Sequence, residues 1–301
     1  MSDNYLFLKT FIPDIERVSI LCDSVQRYNR DGTSFVIAVP NNEIGRFKSV
    51  LPSSVNIIAE EDIAYFTVNK RLPGWREQQL IKFMFGVSFP SNKYLILDSD
   101  CQFIKDFSEM DLFGGKDSTP LIATEGYYRY SSKNKFLLPI ALGEISPIPF
   151  DKNKVEFFVD RLFQIDRRLI GDETHLRKKP TEVGGLINFS FGRADQTRLF
   201  FMPTPIVWSS KIVCDMWYSL REVDLNFSDL LLYSPWEAIW YGHWALSNFK
   251  NEINLVEPLS IHFSKDEDIV DAKNRGISKE TLSKNFYAVT LASRHQNELV
   301  F

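Results

Sequence analysis

Along the first sixty residues, short apolar runs alternate with segments whose apolar positions recur every three or four residues. The runs "YLFLKTF", "SFVIAVP" and "VNIIAE" are too short for helices and end in polar or turn residues. That is how strands covered on both faces of a parallel sheet read. Between the first two runs, "DIERVSILCDSVQRYNRDG" places Ile15, Val18, Cys22, Val25 and Tyr28 on one helical stripe closed by Asp-Gly. "NNEIGRFKSVL" reads as a second helix. "GWREQQLIKFMFGVSF" reads as a third, with Leu80, Phe83, Met84 and Val87 inward, and it leads directly into the strand "KYLILDSD". "TPLIAT" adds a further strand. The alternation predicts an α/β protein with a mostly parallel, Rossmann-type sheet flanked by helices, and residues 1–124 look like a nucleotide-binding layer.

Beyond residue 124 the pattern is less regular. "KVEFFVDRLFQIDRRLI" reads as an amphipathic helix, and "PTPIVWSSKIVCDMWYSLREV" as a strand that turns into a helix capped by Ser209 or Ser210. "SPWEAIWYGHWALSNF" is an aromatic-rich helix, and "NEINLVEPLSIHF" supplies a last pair of short strands. No repeat, low-complexity tract or Gly/Ser linker separates the halves, so the expectation is a single two-lobed domain over residues 1–301.

Composition narrows the function. A net charge of −4 argues against a protein whose main task is to grip nucleic-acid phosphates, which needs a dense basic surface. The chain is rich in aromatic residues, with 25 Phe, 11 Tyr and 6 Trp, which fill cores and also offer flat faces to sugar and nucleotide rings. One basic stretch, "DRRLIGDETHLRKKP", carries Arg167, Arg168, Arg177, Lys178 and Lys179. It reads as a solvated helix end and loop, or as a weak attractor of anionic lipid or glycan. Cys22, Cys101 and Cys214 are scattered and lack a C-x-x-C pair, which points to a reducing compartment and to neither a disulfide framework nor a zinc site. "MSDNYLFLKTF" has no features of a secretion signal, and no window approaches the ~20 apolar residues of a bilayer span. The expectation is a cytoplasmic protein, with peripheral contact to the inner face of a membrane left open.

The chemistry concentrates where "KYLIL" meets "DSD". In extended backbone Asp98 and Asp100 point the same way with Ser99 opposite, at the C-terminal end of a strand, where parallel α/β sheets place ligands. Hard oxygen ligands in that arrangement suit Mg²⁺ or Mn²⁺, whose shell is normally completed by water and phosphate oxygens, so the implied ligand is a diphosphate. On the preceding helix Trp75, Gln79 and Lys82 share an arc of about 60°, with Gln78 at its edge. The alternatives there are contacts to sugar hydroxyls and phosphate oxygens, or a plain solvated face. Glu237 sits among Trp236, Trp240, Tyr241 and Trp244. Desolvation by those rings raises a carboxyl toward the range of a general base, while a glutamate at a helix N-terminus also has a purely structural use. No G-x-G-x-x-G follows the first strand, which argues against a dinucleotide of the NAD type.

Taken in order, "GWREQQLIKF" before "YLILDSDCQFI", then "PTPIVW", then "YSPWEAIWYGHW", the chain resembles glycosyltransferases of the GT-A fold. It looks particularly like bacterial members often encoded with surface-polysaccharide genes, such as those for capsule or lipopolysaccharide. Nothing between Tyr127 and Thr181 contributes to the likeness. The resemblance implies metal-dependent transfer of a hexose from a nucleoside-diphosphate sugar, UDP by preference, to a hydroxyl of a glycan or glycolipid. Residues 1–124 would then bind the donor and residues 125–301 form the acceptor side. It further implies Asp98 and Asp100 as metal ligands, with Asp98 also at the diphosphate, and His262 in "LSIHFSK" as the third ligand. Thr10, Asp14 and Arg17 would lie at the nucleobase and ribose, joined on the donor side by Trp75, Gln78, Gln79 and Lys82. Glu237 would be the base of an inverting reaction. His175, His243 and His295 have no comparable setting, and Glu125, Asp215 and Asp224 are further acids in view.

Two other readings carry weight. In D-x-D phosphatases the first aspartate accepts a phosphoryl group, but there the motif normally opens the chain and small residues follow it, whereas Cys101 and Gln102 follow here. A protein that binds a glycan or nucleotide sugar without turnover is the other.

Overall fold

Consecutive side chains of β1 (Asn4–Lys9) enter different cores. Phe7 packs with Leu80, Phe83 and Met84 on one side of the sheet, while Leu6 and Leu8 pack with Val18, Leu21 and Val25 on the other. This alternation follows from the two-residue period of a strand and makes β1 the middle layer between helices. The computed structural model describes residues 4–64, 72, 75–89, 92–122, 129–130, 141–144, 201, 204–233 and 235–291. The helix expected at 154–170, the basic stretch, Glu125, His175 and His295 lie outside the described residues.

The central sheet has the order β3-β2-β1-β4-β8, formed by β1, β2 (Ser34–Val39), β3 (Asn56–Ala59), β4 (Lys93–Leu97) and β8 (Ile206–Ser209). The first four strands are parallel and β8 runs antiparallel to β4. One face carries α1 (Ile15–Tyr28) and α2 (Ile44–Val50). The other carries α4 (Trp75–Ser88) with α6 (Ser210–Glu222), α7 (Phe227–Tyr233) and α8 (Glu237–Asn248), while the short α3 (Glu60–Ala64) follows β3. The mostly parallel sheet flanked by helices is thus present. The expected stripe of α1 is buried at Val18, Cys22 and Val25, with Ile15 and Tyr28 packed at its margin.

Three details of strand pairing go beyond the sequence reading. "TPLIAT" does form a strand, β6 (Thr119–Ile122), but it pairs in parallel with β9 (Ile253–Val256) rather than joining the central sheet. The strands of "NEINLVEPLSIHF", β9 and β10 (Ser260–Phe263), are not each other's partners. β10 lies in a second sheet of order β5-β11-β10-β7, with β5 (Cys101–Phe103), β7 (Arg129–Tyr130) and a strand that the pattern did not disclose, β11 (Ala288–Leu291). Finally, β4 pairs with β8, β5 with β11 and β6 with β9, so all three sheets are built across residue 124. Helix α5 (Glu109–Phe113), which lies against β4 and β6, opens with a Ser108–Asp111 capping box; by the second sheet α9 (Asp266–Asn274) follows β10, and α10 (Lys279–Leu282) is capped by Ser278. Ser209 is the N-cap of α6, although its hydroxyl makes no cap hydrogen bond.

Helix α4 is buried from Gln79 through Gly86 on every face, which is why its sequence looks only weakly amphipathic. Its distance from β4 is set by Gly86. A Cβ there would stand 2.6 Å from the Tyr94 hydroxyl and 2.9 Å from its ring, and that hydroxyl donates to the Lys82 carbonyl at 3.1 Å. No helix among the described residues is long and apolar enough to cross a membrane.

Gly86→Ala should destabilise the protein. Overpacking a closed core costs about 1–3 kcal/mol and outweighs the gain of about 1 kcal/mol in helix propensity. Urea unfolding measures this, and the cost should shrink in a Tyr94→Phe background, where the nearest contact is gone.

Candidate functional site

Strand β4 ends at Leu97, and the chain turns at once. Cys101 N donates to the Asp98 carbonyl at 3.1 Å, and β5 then starts in the second sheet. Asp98, Ser99 and Asp100 therefore occupy a turn, not the extended backbone expected from the sequence. The reason is topological: the chain leaves the central sheet for the second one at this point. The acidic pair lies at the C-terminal edge of a parallel strand and in the seam between two sheets.

Lys82 organises the centre. Only 2% of its side chain is exposed, and its ammonium lies 3.0 Å from Asp98 Oδ1 and 3.0 Å from Glu237 Oε1. The arc of α4 that the sequence left open as a solvated face is thus turned inward at Gln79 and Lys82, while Trp75, at the start of the helix, is exposed. Asp98 Oδ2 accepts from Thr204 Oγ1 at 2.7 Å. Glu237 is the first residue of α8, where the helix dipole favours a carboxylate, and it is buried. The ring of Trp236 just before it lies 5.6 Å from that of Trp75, at 51°.

The donor-side residues named from the sequence form a second group beside the first. Asp14 is ion-paired with Arg17 and accepts from Ser99 Oγ at 2.9 Å, which joins the end of β1 to the acidic turn. Gln78 Nε2 donates to the Lys9 carbonyl at 3.1 Å. Lys9 is ion-paired with Glu60 and donates to the Thr10 carbonyl at 2.7 Å. The side-chain oxygens Thr10 Oγ1, Gln79 Oε1 and Asp100 Oδ1 are buried without a hydrogen-bond partner. His262 lies on β10, opposite Thr290 of β11, near enough for its field to favour the ionised form of Asp98.

Burial and charge act in opposite directions here. For Lys82, burial disfavours the ammonium, but Asp98 and Glu237 outweigh it and hold the pKa above the ordinary lysine value. Asp98 also suffers from burial, yet Lys82, the Thr204 hydroxyl and His262 keep its carboxyl below the usual value. Glu237 goes up, through burial first and then the charge of Asp98, with Lys82 opposing. Asp100 is pushed up to about 7 by burial and by the neighbouring Asp98, against the pull of Arg17 and Lys82. Asp14, Asp98, Asp100 and Glu237 bring four carboxylates against the two fixed cations Arg17 and Lys82. Among the described residues the acidic groups here outnumber Arg17, Lys82 and His262, and Asp100 answers by holding its proton up to about 7.

A divalent ion fits this set. It would take the place of the proton on Asp100 and give the orphaned Asp100 Oδ1 a partner, and hard carboxylate oxygens suit Mg²⁺ or Mn²⁺. Among the described residues no group of three or more His, Cys, Asp and Glu is already arranged to hold a metal ion.

Several candidates stand apart. Asp215 accepts from Trp244 Nε1 at 3.0 Å, and Asp224 closes the turn after α6 with φ of 58°. His243 is fully buried, edge-on to Phe201. The sequence reading missed Ser99 and Thr204. Neither stands in a recognisable pattern, because each contributes through an approach of distant segments. All three cysteines are free thiols.

Comparison with known families adds one finding. A model described as a family of unknown function (DUF6492) matches residues 7–142, which runs from the second half of β1 through β7 with the acidic turn and Lys82 but not Thr204, Glu237 or His262. No curated protein matches the chain.

The buried pair is Lys82 with Glu237, while Asp98 keeps a third of its side chain exposed. Lys82→Met should cost about 3–5 kcal/mol in urea unfolding, and adding Glu237→Gln should recover part of it, because the buried one of the two uncompensated carboxylates then disappears. The pH dependence has a definite sign. Asp100 binds its proton more tightly in the fold (about 7) than in the unfolded chain (3.8), so its favourable contribution is complete below 3.8 and is lost as pH rises through about 7. Asp100→Asn should therefore gain in thermal stability relative to the unaltered chain as pH is raised across that interval.

Proposed function

We propose that this protein is a metal-dependent glycosyltransferase that moves a sugar from a nucleoside-diphosphate donor, UDP-linked by preference, to a hydroxyl of a glycan or glycolipid in bacterial surface-polysaccharide synthesis. The observation that carries the reading is the acidic turn: two carboxylates at the C-terminal edge of a parallel strand beside a buried lysine, one of them with an orphaned oxygen and a raised pKa. A divalent cation chelated by a diphosphate matches those oxygens in ligand type. The likeness of the sequence to GT-A enzymes supports the same reading.

When bound, the metal would neutralise charge that develops on the departing diphosphate. Asp100 offers it the oxygen that has no partner in the fold, Asp98 a carboxylate held from two sides, and His262 is the further ligand the likeness implies. Lys82 keeps Asp98 ionised and supplies fixed positive charge at the phosphates. The Asp14–Arg17 pair, Thr10 and Gln78 at the ends of β1 and α4 are assigned to the nucleoside, and Gln79 and the exposed Trp75 to the sugar. Glu237 is the assigned base if configuration inverts. Its Oε1 is engaged by Lys82, so the acceptor hydroxyl would have to reach Oε2.

Asp100→Ala should abolish nucleoside diphosphate release in a donor panel supplied with Mn²⁺. The unaltered chain should show a Mn²⁺-dependent thermal shift with UDP, worth about 2.7 kcal/mol at a hundredfold excess over Kd. Full turnover by Asp100→Ala with the metal chelated would end the proposal. UDP bound without release of product would leave a binding protein instead.

A further inference from the structure

β10 and β11 run in parallel with His262 opposite Thr290, and residues two apart on a strand share a face, so Ser260 and His262 lie on one side of β10. On that side Ser260 Oγ and Thr290 Oγ1 both donate to the Thr204 carbonyl, at 2.9 and 3.0 Å, and stand 3.2 Å from each other. Thr204, Ser260 and Thr290 are all buried, at 5%, 1% and 2% exposure. The hydroxyl of Thr204 then reaches Asp98 Oδ2 at 2.7 Å, while Lys82 holds Oδ1 at 3.0 Å.

A carboxylate offers about four lone-pair sites, so one donor on each oxygen leaves room for a cation while both ends of the group are pinned. With Lys82 alone, Asp98 could swing about its one held oxygen. A buried neutral hydroxyl aimed at a carboxylate is a strong, charge-assisted contact, and it is useful only if its own backbone is held still. Two hydroxyls from the second sheet hold it.

We infer that Thr204 is a positioning residue. Its hydroxyl fixes the plane of the Asp98 carboxylate, and the Ser260–Thr290 pair anchors Thr204, so the strand that carries His262 also orients Asp98. This rests on the metal site proposed above. Partners outside a metal's direct ligands govern affinity by orienting those ligands, and their removal typically weakens binding about 10- to 100-fold.

The test titrates Mn²⁺ into the full chain and follows free Mn²⁺ by electron paramagnetic resonance. Thr204→Val and Thr204→Ala, checked for folding by near-ultraviolet circular dichroism, should weaken Mn²⁺ binding by about tenfold, whereas Thr204→Ser, which keeps the hydroxyl, should stay within about twofold. Ser260→Ala, which touches Thr204 only through its backbone, should weaken binding in the same direction, and it carries the test if neither hydroxyl-free variant folds. Unchanged affinity in a folded hydroxyl-free variant, or in Ser260→Ala in that case, would overturn the inference. So would an equal loss in Thr204→Ser, since packing would then explain the effect. If the unaltered chain binds no Mn²⁺, the metal reading falls together with this inference; if it binds and ignores Thr204, this inference falls alone.

Discussion

An ammonium removed from water costs several kcal/mol unless opposite charges meet it at close range, and Lys82 is such a group, buried in α4 between Asp98 and Glu237. The two carboxylates come from places far apart in the chain, the end of β4 and the start of α8, so the lysine pins three elements to one point. Its own placement depends on Gly86, which lets α4 lie against Tyr94 of β4, and on the Tyr94 hydroxyl that binds the Lys82 carbonyl. Packing of the helix and electrostatics of the site are therefore one problem. The helix can come close because it has a glycine, and the charge can be buried because the helix comes close.

The second constraint is the path of the chain after Leu97. A strand that continued would carry Asp98 and Asp100 on one face. Instead the turn passes the chain from one sheet to another, and each aspartate meets a different environment. Asp98 is held by Lys82 and Thr204 and stays ionised. Asp100 is left with an orphaned oxygen and a raised pKa. Two neighbouring acids thus differ in readiness to take up a proton, and the difference comes from what surrounds them. Thr204 sharpens this division by tying Asp98 to the second sheet through Ser260 and Thr290.

Periodicity disclosed what depends on neighbours in sequence. The runs of β1 to β4 and the stripe of α1 were legible because burial on two faces or one leaves a direct mark on residue type. The acidic pair was legible as chemistry for the same reason, since charged residues following "KYLIL" break the pattern. Periodicity failed at α4, where an arc containing Lys82 and Gln79 reads like a solvent face, and at β11 and the partners of β6, where a four-residue strand carries too little pattern to name its place. Trp236 and the other rings around Glu237 marked that acid as desolvated, but nothing local indicated that a lysine 155 positions away would share its charge.

By itself, then, the amino-acid order determined an α/β chain with a buried strand ending in two acids, because hydrophobic burial and strand geometry act over a few residues at a time. Only the tertiary structure decided which polar groups meet: Lys82 with Glu237, Asp14 with Ser99, Thr204 with Asp98. Those pairings are set by the order of strands in three sheets and by the close approach of helices, and both are properties of the whole fold.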